Sequence, residues 1–365
     1  MSKMGKILVA MSGGLDSTMA ALHLHEQGYE VVGVTMKTFD YAKSGGSKKE
    51  TGCCNLDTIN DARDVAVKNG FAHYILDIKE EFGQMVIEDF IDEYLAGRTP
   101  NPCVLCNTHI KWDALLKKAD QLGCEFIATG HYARKAEKDG RYYIRKAIDD
   151  TKDQSYVLWG LSQESLKRTL FPLGDLRKTE VRQQAYDAGY EAVASKSESY
   201  EICFVPDNDY RGFLKRQRPG LQEQVNGGTF VDANGKVLGE HEGYPFFTIG
   251  QRKGLGIALG QPMFVTNIDP DHNRVTLGPQ EELQRSEMFV HKLTWQKYLS
   301  PSSLENLSVK IRYKDSGNPA SLQLTQADKA LIHFNTYVNG IAPGQSAVFY
   351  EGDDVVGGGR IHSAW

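Results

Sequence analysis

An α/β domain with a parallel sheet, followed by two β-rich domains, is the architecture this chain predicts, on three observations. Over roughly the first 200 residues, strand-sized apolar runs alternate with stretches of helical apolar spacing. A glycine-rich turn joins the first of those runs to the first helix. After Arg218-Pro219-Gly220 the helical spacing gives way to short alternating strands with frequent turns. With 365 residues, two or three domains can each bury a core, and the expected boundaries are 1–218, 219–286 and 287–365.

In chain order, Ile7 to Met11 reads as a buried strand, Thr18 to Gln27 as a helix stopped by Gly28, and Val31 to Met36 as a second strand. Asp57 can cap a helix bearing Ile59, Ala62, Val65 and Ala66 that ends at Gly70, and Ala72 to Ile78 is the third strand. Phe82, Val86, Phe90 and Tyr94 recur every fourth residue, as one helix ending at Gly97 requires. Leu115 to Leu122 is a further helix before the strand Glu125 to Thr129. Such alternation builds βαβ units, whose ligands bind at the carboxyl ends of the strands. Beyond the change at Gly220, Gly227 to Asp232 and Met263 to Asp269 read as strands. The turn Pro270-Asp271-His272-Asn273 and the strand Arg274 to Leu277 follow. Ser308 to Tyr313, Ala330 to Val338 and Ser346 to Tyr350 belong to the last domain. The polar stretch Tyr41 to Thr51 reads as a mobile loop.

Composition restricts the function classes. With 41% hydrophobic and 24% charged residues the chain is ordinary globular protein, which argues against disorder. No apolar run approaches the roughly 20 residues of a membrane helix, and Met1 to Lys6 is too short and polar for a signal peptide. The six cysteines are therefore expected as reduced thiols in the cytoplasm. A net charge of −5 does not itself suggest nucleic acid, although binding depends on local basic stripes rather than on the total.

The chemistry begins at Ala10-Met11-Ser12-Gly13-Gly14-Leu15-Asp16-Ser17. A buried strand aims this turn, and two glycines let its backbone approach an anion. The free N–H groups at the helix start, helped by the Ser12 and Ser17 hydroxyls, then hold phosphate oxygens. No Gly-Lys-Ser/Thr follows, so this is not a Walker loop.

Two thiol regions follow. Cys103-Val104-Leu105-Cys106 starts a helix after the proline-stiffened Thr99-Pro100-Asn101-Pro102. A cysteine there should have a lowered pKa, because the helix dipole and free N–H groups favour the thiolate. By itself the Cys-x-x-Cys leaves a redox pair, a metal site and coincidence open. Cys203, within Ser199-Tyr200-Glu201-Ile202-Cys203-Phe204, lies on a strand-like segment that could return to the same cleft. Cys53-Cys54 read as loop or packing residues and Cys124 as core.

The Ser-Gly-Gly-x-Asp-Ser pattern resembles the PP-loop of the ATP pyrophosphatase superfamily, with an adenine nucleotide α-hydrolase-like fold. Its members adenylate a substrate and release pyrophosphate. Five more motifs follow in the order seen in bacterial tRNA-specific 2-thiouridylases. They are Thr-Pro-Asn-Pro-x-x-x-Cys-Asn at 99–107, Thr-Gly-His-Tyr-Ala-Arg at 129–134, Lys-Asp-Gln-Ser-Tyr at 152–156, Ile-Cys-Phe at 202–204 and Gly-Gln-Arg-Lys-Gly-Leu-Gly at 250–256. The resemblance covers nearly the whole chain. It implies ATP-dependent sulfuration of C2 of uridine 34 in tRNAs for Lys, Glu and Gln, with a persulfide relay protein as sulfur donor.

Carried over by position, the resemblance implies that Ala10, Met11, Ser12, Gly13, Gly14, Leu15, Asp16, Ser17, Met36 and Gly130 bind ATP. Mg²⁺ is expected only with the ATP, assisted by Asp16, and no ligand set is assigned to it. Asn101, Pro102 and Cys103 would face the target base. Cys106 matches the nucleophile and Cys203 the persulfide carrier. His131, Lys152, Asp153, Gln154, Arg312, Tyr313 and Gln345 match tRNA-contacting positions. By themselves Arg211, Lys215, Arg216 and Arg218 leave a solvated helix face and a phosphate-binding stripe equally open, and the resemblance favours the stripe. Two departures stand out. Cys103 occupies a position that is often acidic in the family, and Ser199-Tyr200-Glu201 replaces a common Ser-Thr-Gly. The first opens an alternative sulfur route, a [4Fe–4S] cluster held by Cys103, Cys106 and Cys203. Rival readings are a PP-loop thiolase acting at another RNA position, a PP-loop ligase and a non-enzymatic RNA-binding protein. A ligase leaves Cys106 and Cys203 unexplained, and an RNA-binding protein leaves the phosphate turn unexplained.

Overall fold

The computed structural model describes residues 4–39, 56–196, 202–205, 207–258 and 260–365. The polar stretch at Tyr41 to Thr51, Cys53-Cys54 and Ser199-Tyr200-Glu201 lie outside the described residues. The chain divides into two compact units. One comprises Met1–Val86, Cys103–Asn208 and Asp353–Val355; the other comprises Ile87–Pro102, Asp209–Gly352 and Val356–Trp365.

The first unit is built on strands β1 (Lys6–Ala10), β2 (Glu30–Lys37), β3 (Ala72–Asp77), β4 (Phe126–Ala128) and β7 (Thr169–Leu170), all parallel, in the order β3-β2-β1-β4-β7. β1 is central, and Ile7, Leu8 and Val9 have no exposed surface. A strand covered on both faces has no polar side to alternate with, so it reads as a continuous apolar run. Helix α1 (Leu15–Glu26) packs Met19, Ala20, Leu22 and Leu24 into the same core as Val9 and Val31. Helix α2 (Leu56–Lys68) contributes Ala62, Val65 and Ala66. The hairpin β5 (Ala133–Lys138) and β6 (Arg141–Lys146), turned at Asp139-Gly140, was not anticipated, although an Asp-Gly between alternating residues signals one.

Two local expectations are corrected. The helix expected through Phe82 and Tyr94 is instead Lys79–Phe82, a π-turn at Gly83–Ile87, and Glu88–Leu95. Its apolar positions Phe82, Val86, Phe90 and Tyr94 are nonetheless all buried. Around Cys203 the backbone makes a turn rather than a strand, closed by the Val205 N–H donating to the Ile202 carbonyl at 2.8 Å.

The second unit holds two β modules. In the first, β8 (Gly228–Val231), β9 (Val237–His241), β10 (Phe264–Asp269) and β11 (Arg274–Gly278) form a sheet in the order β10-β11-β8-β9 around Phe230, Val265, Val275 and Leu277. The second contains β12 (Gln284–Trp295), β13 (Ser303–Lys310), β14 (Asn318–Gln326), β15 (Lys329–Asn339), β16 (Ser346–Glu351) and β17 (Asp354–Ala364). β12 pairs with both β15 and β17, which closes the strands into a barrel over Met288, Val309, Ile332, Phe349 and Ile361. β13 stops at Lys310, short of the expected Tyr313. Asp315 takes over there, accepting the Ile311 N–H at 3.0 Å and folding Arg312-Tyr313 into a turn.

Helix Glu88–Leu95 also belongs to the second unit. Arg360 of β17 grips it, with Nη1 and Nη2 at 3.0 and 3.1 Å from the two Asp89 oxygens and Nη2 2.9 Å from Glu93. Glu93 is 5% exposed. Burial pushes its pKa up, but the hydrogen bond from Arg98 and the charges of Arg360 and Arg98 outweigh that, so its carboxyl lies below the usual range.

Candidate active site

At the end of β1 the chain turns sharply into α1. Gly13 adopts φ +70°, and a Cβ there would lie 2.1 Å from the Thr58 carbonyl oxygen. No side chain could occupy that space. Ser17 Oγ accepts the Ser12 N–H at 3.0 Å, lies 3.2 Å from Ser12 Oγ and donates to the Gly14 carbonyl at 3.2 Å. The two hydroxyls, expected to assist on phosphate, thus brace the turn against itself. No side chain caps α1 at Gly14, and the intrahelical ladder begins with Thr18 N–H to the Gly14 carbonyl at 3.2 Å. The first-turn N–H groups therefore remain as donors for an anion.

A pocket opens at the carboxyl ends of β1, β2 and β4. Ala10, Met11, Ser12, Asp16, Ser17, Met36 and Gly130, all expected at the nucleotide, line it. Gly13, Gly14 and Leu15 do not; they shape the turn from behind, and Leu15 is buried in the core. Gly130 closes on the helix start, where a Cβ would come within 2.7 Å of the Asp16 carbonyl carbon and the Ser17 nitrogen. His131 and Gln154, expected at tRNA, line this same pocket, together with Thr35, Thr38, Lys111 and Thr129. Burial, and after it the Lys111 charge, lower the His131 pKa to about 3, so its imidazole is neutral; Nδ1 lies 2.8 Å from Thr129 Oγ1.

Sequence reasoning missed the cations that hold the turn. Lys178 Nζ donates to Asp16 Oδ1 at 2.6 Å, and the Tyr132 hydroxyl donates to the same oxygen at 2.8 Å. Lys196 Nζ donates to the Gly13 carbonyl at 2.8 Å and pairs with Asp61. Nothing local marks these lysines, since a buried ammonium and a solvated one look alike in sequence.

The thiols differ in access. Cys106 is 5% exposed, within the helix Pro102–Cys106 that passes into a π-turn at Asn107–Lys111. Cys203 is half-buried, and its segment is anchored by Phe204, whose ring meets Phe82 at 5.7 Å and Phe39 at 6.4 Å. Cys103 is exposed as a residue. Protein crowding its sulfur nevertheless raises its pKa, with Lys111 pulling the other way, so the fall expected at a helix start does not occur there. Cys124 is core. Among the described residues no group of three or more His, Cys, Asp or Glu side chains gathers to hold a metal. Cys103, Cys106 and Cys203 therefore do not form the donor set that a cluster needs.

The remaining tRNA expectations divide. Asp153 is committed to its own loop, accepting the Ala147 N–H at 3.0 Å and the Ser155 hydroxyl at 2.7 Å; its neighbour Lys152 is half-buried. Arg312 and Tyr313 are exposed. Gln345 Nε2 donates to the Thr99 and Pro100 carbonyls at 3.2 and 2.7 Å, ahead of Asn101 and Pro102, of which Pro102 is buried. Most of the basic run is used internally. Lys215 pairs with Glu242 at 3.0 Å, Arg218 pairs with Glu88, and Arg211 stands 5.3 Å from the Phe247 ring. Arg252 and Lys253 are exposed. No helix among the described residues is long and apolar enough to cross a membrane.

Three family models cover the chain: a tRNA methyl transferase HUP domain at 5–207, a tRNA methyl transferase PRC-barrel domain at 212–279 and an aminomethyltransferase beta-barrel domain at 285–361. The chain is 60% identical over 366 residues to the tRNA-specific 2-thiouridylase MnmA of Cytophaga hutchinsonii, covering 100% of this chain and 99% of that one. It is 62% identical to the protein of the same name from Amoebophilus asiaticus, covering 100% and 96%. Among solved structures, a 4-thiouridine synthetase–RNA complex with bound ATP aligns with a TM-score of 0.38 at 18% identity, covering 60% of this chain and 51% of that one.

Proposed function

The chain belongs to the tRNA-specific 2-thiouridylase family, and from that premise we propose how its own residues convert C2 of uridine 34 in tRNA to a thiocarbonyl at the expense of ATP. The observation that carries the reading is the phosphate turn Ala10–Ser17 opening into a pocket at the strand ends.

The uracil C2 oxygen is a poor leaving group. It attacks the α-phosphorus of ATP, pyrophosphate departs, and the first-turn N–H groups of α1 stabilise the charge that develops on it. Mg²⁺ bound with ATP would neutralise phosphate charge, with Asp16 the carboxylate at the turn to share it. Asn101, Pro102 and Cys103 face the base, which must leave its stack to be reached. Lys152, Arg312 and Tyr313 contact the tRNA, together with His131, Asp153 and Gln154, while Gln345 holds the loop ahead of Asn101.

Sulfur arrives as a persulfide on Cys203, loaded by a relay protein in the cytoplasm. The greater exposure of Cys203 over Cys106 supports that order. Two routes then balance. The terminal persulfide sulfur attacks C2 and expels AMP, after which the Cys106 thiolate attacks Cys203 Sγ and releases 2-thiouridine. Alternatively Cys106 attacks the persulfide first, and the freed hydrosulfide displaces AMP. Both leave a Cys106–Cys203 disulfide for an external dithiol to reduce. No step runs through a [4Fe–4S] cluster, whose donors do not gather among the described residues.

Nucleoside analysis of tRNA from a strain lacking the protein tests the reading. Loss of the 2-thiouridine derivatives at position 34 is expected. Their persistence, with sulfur missing at another position, would favour a thiolase of different site specificity.

A further inference from the structure

Two hydrogen-bonded paths run from the loop at 149–154 to one carboxylate oxygen of the phosphate turn. On the first, Asp149 accepts the Lys178 N–H at 2.8 Å, at the start of helix Lys178–Asp187, and the Lys178 ammonium donates to Asp16 Oδ1 at 2.6 Å. On the second, Gln154 brackets Tyr132: its Oε1 accepts the Tyr132 N–H at 2.9 Å, and its own N–H donates to the Tyr132 carbonyl at 2.8 Å. The Tyr132 hydroxyl then donates to the same Asp16 Oδ1 at 2.8 Å. The paths meet again where Lys178 Nζ stands 5.6 Å from the Tyr132 ring centroid.

The loop is stiff. Asp149 accepts the Thr151 hydroxyl at 2.6 Å and Asp153 the Ser155 hydroxyl at 2.7 Å, while Asp149 and Ser155 are buried. The Lys178 side chain is 9% exposed, so its charge depends on Asp16 for compensation and cannot drift from it cheaply. Asp16 in turn precedes Ser17, the hydroxyl that braces the turn. A shift of the loop therefore moves the donors on Asp16, and with them the N–H groups offered to phosphate.

We propose that Tyr132 and Lys178 are positioning residues that link occupancy of the 149–154 loop by tRNA to occupancy of the phosphate turn by nucleotide, each ligand tightening the other. This rests on the reading of Lys152–Gln154 as a tRNA contact. RNA held at the loop fixes both donors on Asp16, so the nucleotide meets a turn already ordered. Linkage makes the effect reciprocal.

The test uses the full-length protein, unmodified tRNA and an α,β-methylene ATP analogue that cannot adenylate. Analogue affinity is titrated with and without saturating tRNA, and tRNA affinity with and without analogue. In the wild type both should tighten by the same factor, about five-fold or more. Tyr132→Phe, which removes one hydroxyl, should bring the factor towards one, Lys178→Met likewise, and Lys178→Arg should retain it. A wild-type factor of one, or Tyr132→Phe with the wild-type factor, overturns the proposal. Unchanged tRNA affinity in Lys152→Ala would instead refute the reading of the loop as a tRNA contact.

Discussion

Gln345 Nε2 lies 2.7 Å from the Pro100 carbonyl oxygen, so the residue that follows the barrel loop at Gly344 holds the loop that precedes Asn101 and Pro102. The hold is reinforced by the Thr99 N–H donating to the Pro343 carbonyl at 2.8 Å. Gln345→Ala should lower the single-turnover thiolation rate by about ten- to hundred-fold, the usual cost of a base displaced from attack geometry. Binding of tRNA should change little. Gln345→Glu keeps the size but removes the donor, and should behave like Ala. A filter-binding assay separates the outcomes: a fall in tRNA affinity matching the fall in rate would make Gln345 a tRNA contact rather than a clamp.

Asp16→Ala and Ser17→Ala should weaken ATP binding while leaving tRNA affinity, measured without nucleotide, nearly unchanged. Gly130→Ala should act the same way, because its Cβ would press on the Asp16 backbone at 2.7 Å. Overpacking of this kind costs about 1–3 kcal/mol. Calorimetric titration with ATP and filter binding with tRNA check both halves. Equal losses of the two ligands would count against the assignment.

Cys106→Ser and Cys203→Ser should each abolish thiolation while tRNA-dependent release of pyrophosphate persists, since adenylation needs neither thiol. Only Cys203→Ser should also prevent persulfide loading, seen as loss of the added sulfur by intact-protein mass spectrometry. Near-normal thiolation by either variant removes that cysteine from the chemistry.

Glu93 sets an acid limit on stability. Its folded pKa lies below the ordinary 4.5, so the stabilisation is fully present above that value and is lost as pH falls through the folded value. Glu93→Gln strands part of the Arg98 and Arg360 charge and should cost about 3 kcal/mol at neutral pH. It should also flatten the fall in stability below the ordinary carboxylate range. Urea denaturation at pH 7 and pH 4 measures this, and equal losses at both pH values would contradict it.

The parallel sheet and phosphate turn were legible because both are local: Ile7 to Val9 announces a strand buried on both faces, and Gly13-Gly14 announces a tight approach. The residues that complete the site were not. Lys178 and Tyr132 reach Asp16 across 162 and 116 positions of chain, a separation with no local signal. The pairing of Lys215 with Glu242, 27 positions further along the chain, likewise has no local signal. At Cys103 the dipole effect was legible, but the opposing burial depends on packing that only the fold supplies.

The central claim is that ATP activates the C2 oxygen of uridine 34 as an adenylate before sulfur replaces it. Unmodified tRNA labelled with ¹⁸O at that oxygen, incubated with the protein, ATP and a persulfide donor, tests it most directly. The label should appear in AMP, in step with formation of 2-thiouridine at position 34, while pyrophosphate stays unlabelled. Unlabelled AMP, or thiolation accompanied by ADP and phosphate, would contradict it.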